Sequence, residues 1–292
     1  EINVVATTPM IGEFVSQVGG DNINLTVLMP SEADPHTYDP APQDAGKIAD
    51  ADLVFYTGLK YEPAALIKLL ENSACSAEVL AEVGKNVFPI EFKEGGHDDH
   101  DDHDEEGHDD HAGHDHGAYD PHFWFDPNRV AYAVEYIESK LVVFDPSNAS
   151  DYEAAGKAYV TELKGLVSQV SELISTIPSQ NRKLITTHES LGYLEAKFGL
   201  EVLSTIIPSV DSANEISPSQ LVGVIDVIED NNVKVIFIEE EAPSVYAETI
   251  IAETGIKAVE GLWVETLKEG QSYPEFLFEA VELIVENLRN TD

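Results

Sequence analysis

Between residues 147 and 177 the chain runs about thirty residues without a proline. Its apolar side chains there, Tyr152, Ala155, Tyr159, Leu163, Leu166, Val167, Val170, Leu173 and Ile174, fall at helical spacing. Ser147 stands where an N-cap belongs. At about 1.5 Å per residue such a segment is a rod of roughly 45 Å, longer than most helices of globular domains. A rod of that length is suited to tie two lobes together.

Both flanks of the rod alternate strand-like and helix-like segments. On the N-terminal side INVVATT reads as a strand, PMIGEFVSQVGG as a helix ending in glycines, NINLTVLMP as a strand, APQDAGKIADA as a helix and DLVFYTG as a strand. DPNRVAYAVEYIESKLVVFDP then reads as an amphipathic helix that stops before Pro146. On the C-terminal side RKLITTH is a strand, a helix follows that ends near Phe198 and Gly199, and LEVLSTI is a strand again. The helix SPSQLVGVIDVIEDNN, the strand VKVIFIEE, the helix SVYAETIIAETG, the short strand KAVEGLW and a terminal helix from Pro274 complete the order. This alternation predicts an α/β fold with mostly parallel sheets flanked by helices. The expected division is an N-terminal lobe over 1–146, a long rigid linking helix over 147–178 and a C-terminal lobe over 179–292.

A hydrophobic content of 43% over 292 residues is enough for sizeable cores. No run of eighteen apolar residues occurs, so no segment reads as a membrane span. The chain opens directly on a strand-like segment, which gives the expectation that a signal peptide has been removed or never existed. With 55 acidic against 16 basic residues the formal charge is −39, which excludes nucleic acid as a natural partner and suits a cationic ligand. Only 13 of the acids lie in residues 91–120, so the acidity is global and also reads as an adaptation of the whole surface. Cys75 is the single cysteine, which excludes an intrachain disulfide and a thiolate metal cluster, and it reads as a packed, inert residue.

Histidine is distributed unevenly. Residues 95–127 hold eight of the ten, in GGHDDHDDHDEEGHDDHAGHDHGAYDPHFWFDP. Seven of them, His97, His100, His103, His108, His111, His114 and His116, alternate with aspartates in a segment (95–118) that lacks the apolar residues of a core and reads as a disordered loop that holds Zn²⁺ loosely. The remaining three have another setting: His36 in SEADPHTYDP, His122 in GAYDPHFWFDP and His188 in KLITTHESLGYL. The first two share Asp-Pro-His-x-aromatic with a second Asp-Pro close behind, and proline on both sides suits a histidine presented in one orientation. All three follow strand-like segments, where open α/β sheets place their ligands. Three imidazoles and a carboxylate would make a tetrahedral zinc site; separate loop histidines bonded to nearby carboxylates are the alternative at this point.

The phrases TTPMIGEFVSQVGGDNINLTVLMPSEADPHTYDPAPQDAGKIADADLVFYTGL, DPHFWFDPNRV, TTHESLGYLEAKFGL and VKVIFIEEEAPS resemble, in that order and over nearly the whole chain, the metal-binding proteins that serve zinc and manganese ABC importers. That resemblance implies two lobes with a rigid linking helix, a metal held between them, and delivery to a membrane permease by an extracytoplasmic protein, anchored or not through a segment not present here. It implies a monomer and no enzymatic activity. It makes His36 and His122 ligands from the first lobe and His188 a ligand from the second. Manganese-type relatives usually carry glutamate at the third place, so His188 favours zinc over manganese, which prefers more oxygen ligands. For the fourth place, commonly an aspartate, this chain offers Glu265 in GLWVETLKEG, with a water as the competitor. Glu239, Glu240 and Glu241 lie in a phrase that is mostly structural in the family.

Two further function classes fit some of these features. A zinc-dependent hydrolase would need an open metal position and a base, for which Glu189 beside His188 is the candidate, but no HExxH or similar local motif is present. A passive metal buffer or adhesin would use the histidine loop as its main store.

Overall fold

The N-terminal strands are short apolar runs, and their burial explains their pairing. In the computed structural model, which describes residues 1–92, 119–207, 216–241 and 245–289, Val4, Val5 and Ala6 of β1 (Ile2–Ala6) and Leu53, Val54 and Phe55 of β3 (Leu53–Tyr56) are all buried. Consecutive buried residues need cover on both faces, the condition of an interior parallel strand. With β2 (Ile23–Val27) and β4 (Leu80–Glu82) they form a parallel sheet in the order β2-β1-β3-β4. The connections are α1 (Pro9–Gly19), α2 (Pro42–Ala49) and α3 (Ala64–Ser73).

The C-terminal half repeats the plan. β5 (Lys183–His188), β6 (Glu201–Ile207), β7 (Val235–Glu239) and β8 (Lys257–Leu262) pair in parallel in the order β6-β5-β7-β8. They alternate with α6 (Gly192–Phe198), α7 (Pro218–Asn231), α8 (Val245–Thr254) and α9 (Tyr273–Arg289). In each sheet the winding direction reverses between the first and third strand, which opens a crevice at the carboxyl ends of those strands.

Between the sheets run α4 (Pro127–Phe144) and the 27-residue α5 (Ala149–Ser175). The buried residues of α5, Tyr152, Gly156, Tyr159, Val160, Leu163, Leu166, Val170 and Ile174, recur every three to four positions. They face α1 and α4 at one end and α9 at the other, so one apolar cluster continues from Val4 and Phe55 through Leu163 to Phe237 and Leu277. That shared core is what makes the link stiff.

Three sequence expectations differ from the structure. α5 is not capped by Ser147: it starts at Ala149 after a 3-10 turn over Pro146–Asn148, and Ser147 Oγ donates to Asp145 Oδ1 at 2.5 Å. The Asp145 carboxylate also accepts from Asn148 Nδ2 and Tyr152 Oη, so the aspartate before the proline organises the helix start. α3 and β4 were not foreseen, because β4 is only three residues long and shows no period. Cys75 is exposed, not packed, since the chain leaves α3 at Ser73 and turns outward there.

Beyond the carboxyl end of α5, Arg182 donates from Nε to the Ile177 carbonyl (3.1 Å) and from Nη2 to the Ser175 carbonyl (3.4 Å). A cation there satisfies orphan carbonyls and complements the helix dipole. Arg182→Ala is therefore expected to lower stability by about 1 kcal/mol in urea denaturation, with the slope unchanged.

Candidate metal centre

His36, His188 and Glu265 stand at or beyond the carboxyl end of a strand and His122 stands on the turn into α4, and a local device aims each one. His36 follows β2 in a 3-10 turn over Pro35–Thr37, where its N–H donates to Asp34 Oδ1 at 3.0 Å. His122 uses the same Asp-Pro-His device: its N–H donates to Asp120 Oδ1 at 2.9 Å. The repeated motif is thus a side-chain-capped turn in which proline fixes the backbone and aspartate closes it. His188 is the last residue of β5, beside Glu239 at the end of β7 across the crevice. Glu265 lies three residues past β8 on a turn whose N–H groups at Val264, Glu265 and Thr266 all donate to the Glu241 carboxylate at 2.9–3.2 Å. Trp124 Nε1, from the other lobe, donates to the Val264 carbonyl at 2.8 Å.

These devices bring the four side chains to one point. One donor atom from each of His36, His122, His188 and Glu265 lies within 4.8 Å of every other. The three Nε2 atoms converge on Glu265 Oε1 at 3.3 Å (His36), 3.0 Å (His122) and 2.7 Å (His188). The side chains of His122, His188 and Glu265 are fully buried and that of His36 is 3% exposed. His188 Nε2, despite its proximity to Oε1, has no hydrogen-bond partner of acceptable direction.

The outer faces of the site fix its inner ones. His122 Nδ1 meets Asp120 Oδ1 at 2.8 Å, and His188 Nδ1 meets Glu239 Oε2. A carboxylate only accepts, so each outer partner keeps the Nδ1 proton, and loss of the second proton, the one on Nε2, leaves that nitrogen's lone pair pointing inward. Glu239 accepts in addition from the His188 N–H and from Ser190 Oγ. Tyr61 Oη donates to Glu265 Oε2 at 2.9 Å, so a single carboxylate oxygen faces the three rings.

Electrostatics oppose burial here and prevail over it. Burial pulls the His122 imidazole down, but the Glu265 charge and the Asp120 hydrogen bond outweigh it and lift its pKa to about 9. His188 is raised well above its ordinary value for the same reason, with Glu239 the main opposing charge. Glu265 is held well below the usual carboxylate range: burial raises it, and His122 and His36 pull harder the other way. A pocket that stabilises positive charge among fixed lone pairs is arranged for a cation.

Other sequence candidates are placed elsewhere. Glu189 turns away to accept from Thr205 Oγ1 at 3.0 Å and is not in the four-residue group; burial lifts its pKa to about 7. Glu240 is exposed. Glu241 is raised to about 8 by burial and by the Glu265 charge, and serves the backbone. His97, His100, His103, His108, His111, His114 and His116 lie outside the described residues, as does the disorder expected for 95–118.

Sequence reading missed Tyr61. It reaches Glu265 because Gly58, Leu59 and Lys60 all adopt left-handed backbone (φ 75°, 54° and 62°), a turn that only the first residue advertises. Glu62 holds that turn by accepting from the Thr57 and Gly58 N–H groups and from Thr7 Oγ1.

The family model for the periplasmic component A of the zinc-uptake complex, ZnuA, matches residues 4–287. The high-affinity zinc uptake system protein ZnuA of Bacillus subtilis (strain 168) is 30% identical over 99% of this chain and 88% of its own length. The manganese ABC transporter substrate-binding lipoprotein scaA of Streptococcus gordonii is 28% identical over 99% and 89%. Among solved structures, the periplasmic zinc binding protein TroA from Treponema pallidum superposes with a TM-score of 0.83 over 99% of both chains at 22% identity, a likeness of fold.

Proposed function

The chain belongs to the ZnuA family, the periplasmic component A of zinc uptake, and from that premise we propose that it captures Zn²⁺ with His36, His122, His188 and Glu265 and hands it to an ABC permease. The family is a substrate-binding component of metal transport, extracytoplasmic and not enzymatic. No helix among the described residues is long and apolar enough to cross a membrane. The finer reading, zinc as the cargo, rests on one observation: three imidazole nitrogens converge on a single carboxylate oxygen in a buried pocket.

Donor chemistry favours zinc. A tetrahedral zinc with bonds of about 2.0–2.1 Å spaces its ligands roughly 3.3 Å apart, and the three nitrogens here stand 2.7–3.3 Å from Glu265 Oε1. Tyr61 occupies Glu265 Oε2 and so favours a single carboxylate bond. Manganese prefers more oxygens and a higher coordination number, and it stands below zinc in the Irving–Williams order. The manganese-named relatives make a manganese cargo the second reading.

The histidine tract is the accessory part of the proposal. Seven imidazoles among aspartates concentrate cations and form the weaker, accessory zinc store of this proposal. The protein acts as a monomer beside its permease, with or without an upstream lipid anchor.

Competition at equal free Zn²⁺ and Mn²⁺, run on the full chain and on a form lacking residues 96–117, tests both parts. The expected result is zinc preference in both forms, one tight zinc per chain in the deleted form and additional weaker ions only in the full chain. Preferential manganese uptake would sink the zinc reading. Loss of the tightest site on deletion would make the tract the primary site.

A further inference from the structure

The strand–turn–helix unit that carries His188 also grips the loop that carries His122, which belongs to the other lobe. α6 begins four residues after His188, and its first two residues meet Asp120. Tyr193, 2% exposed, donates its hydroxyl to the Asp120 carbonyl at 2.7 Å and accepts the Ile90 N–H at 3.2 Å. Ile90 and Asp120 are themselves paired, the Asp120 N–H donating to the Ile90 carbonyl at 3.0 Å beside the isolated antiparallel bridge of Glu91 and Tyr119, so one hydroxyl from the C-terminal lobe joins both sides of that bridge in the N-terminal lobe. Gly192 lies under the carboxylate: a Cβ there would stand 2.6 Å from Asp120 Oδ2. The other oxygen, Oδ1, accepts both the His122 N–H (2.9 Å) and Nδ1 (2.8 Å).

From this juxtaposition we infer that Gly192 and Tyr193 form a grip across the lobe boundary that sets the orientation of His122 through Asp120. Both are positioning residues, and the inference rests on the zinc reading above. The C-terminal lobe then governs three of the four donors, His188 and Glu265 directly and His122 through the loop that carries Asp120. Separation of the lobes withdraws His188 and Glu265 and at the same time frees the Asp120 loop whose carboxylate fixes the His122 tautomer and ring. Three bonds to the ion are weakened by one movement, which makes release steep in lobe separation. Carboxylates that orient a ligating imidazole typically contribute about 10–100-fold in metal affinity, and a residue that holds such a carboxylate contributes toward the lower end of that range.

Tyr193→Phe keeps the ring in the core and removes only the hydroxyl. Zinc affinity, read by competition with a chelator, is expected to fall roughly tenfold, with a matching rise in dissociation rate. The d–d absorption of the Co²⁺-loaded protein is expected to move toward that of His122→Ala. In the His122→Ala background the same substitution is expected to change affinity by less than about twofold, because no imidazole is left to position. Gly192→Ala, which pushes the carboxylate instead of freeing its carbonyl, is expected to act in the same direction. Thermal melting of each metal-free protein checks that the fold persists.

An equal loss from Tyr193→Phe in both backgrounds would mark Tyr193 as a packing residue and overturn the grip. Unchanged affinity in Tyr193→Phe, with His122→Ala weakened, would overturn it too and leave the zinc reading intact. Failure of the unaltered chain to bind zinc tightly would remove that reading itself.

Discussion

Replacement of His188 by alanine is expected to lower zinc affinity by roughly 100-fold or more, since the loss of mere outer partners of a ligand already costs about 10–100-fold. The ion would exchange a prearranged imidazole for a water, and the C-terminal lobe would keep Glu265 as its only donor. A second effect should appear without metal. Glu239 is fully buried and its main partner is the His188 ring, with the His188 N–H and Ser190 Oγ as lesser ones. Removal of the ring leaves a buried carboxylate without its counter-charge, a loss of about 3 kcal/mol. Chelator competition reads the first effect and urea denaturation of the metal-free protein the second. Affinity equal to that of the unaltered chain would exclude a site shared between the lobes.

The same residue shows what the sequence could tell. β5 was legible as RKLITTH because its apolar run is bounded by Arg182 and by the turn at Ser190, and parallel pairing followed from the strand–helix alternation. α5 was legible because its buried positions keep one period over 27 residues. The two Asp-Pro-His turns were legible as orienting devices, and the fold brings His36, His122, His188 and Glu265 into one group. That proximity depends on where two sheets dock, which no spacing along the chain encodes. The partners around the rings were less legible for the same reason. Glu239 reaches His188 across 51 residues and Tyr61 reaches Glu265 across 204. Nothing local distinguishes such a glutamate at a strand end from one facing solvent. Tyr61 adds a second obstacle, since Leu59 and Lys60 take left-handed backbone against their own preference, in a turn held by the Gly58 N–H on Glu62 and the Leu59 N–H on Glu82. β4 failed for lack of length: three residues carry no period to read.

Zinc affinity is expected to rise with pH through neutrality and to rise less steeply above about pH 9, while the stability of the metal-free protein moves the opposite way. In the metal-free site burial alone would keep His122 and His188 neutral, but Glu265, Asp120 and Glu239 hold their protons on, to about 9 for His122 and well above the ordinary value for His188. Zinc takes the Nε2 lone pair and must displace those protons. Each displaced proton contributes roughly a tenfold change in apparent affinity per pH unit below the pKa of its group. With two such histidines the slope at pH 7 is steep, and it flattens by one proton as the pH passes about 9. For the metal-free fold the sign reverses. A raised histidine pKa contributes stability that is fully present below the unfolded value of about 6.5 and is lost as pH climbs through the folded value. Glu265, depressed in the fold, acts at the acid end: its contribution is present above the ordinary carboxylate range and is lost as pH falls through its lowered folded value. Metal-free protein should therefore melt at lower temperature at pH 9 than at pH 6.5, whereas the increment that saturating zinc adds to the melting temperature should grow over the same interval. Calorimetric titration in buffers of different ionisation enthalpy counts the released protons directly. Zinc binding at pH 7 without proton release would show that the inward nitrogens are already neutral and that the carboxylates around them serve only to aim the rings.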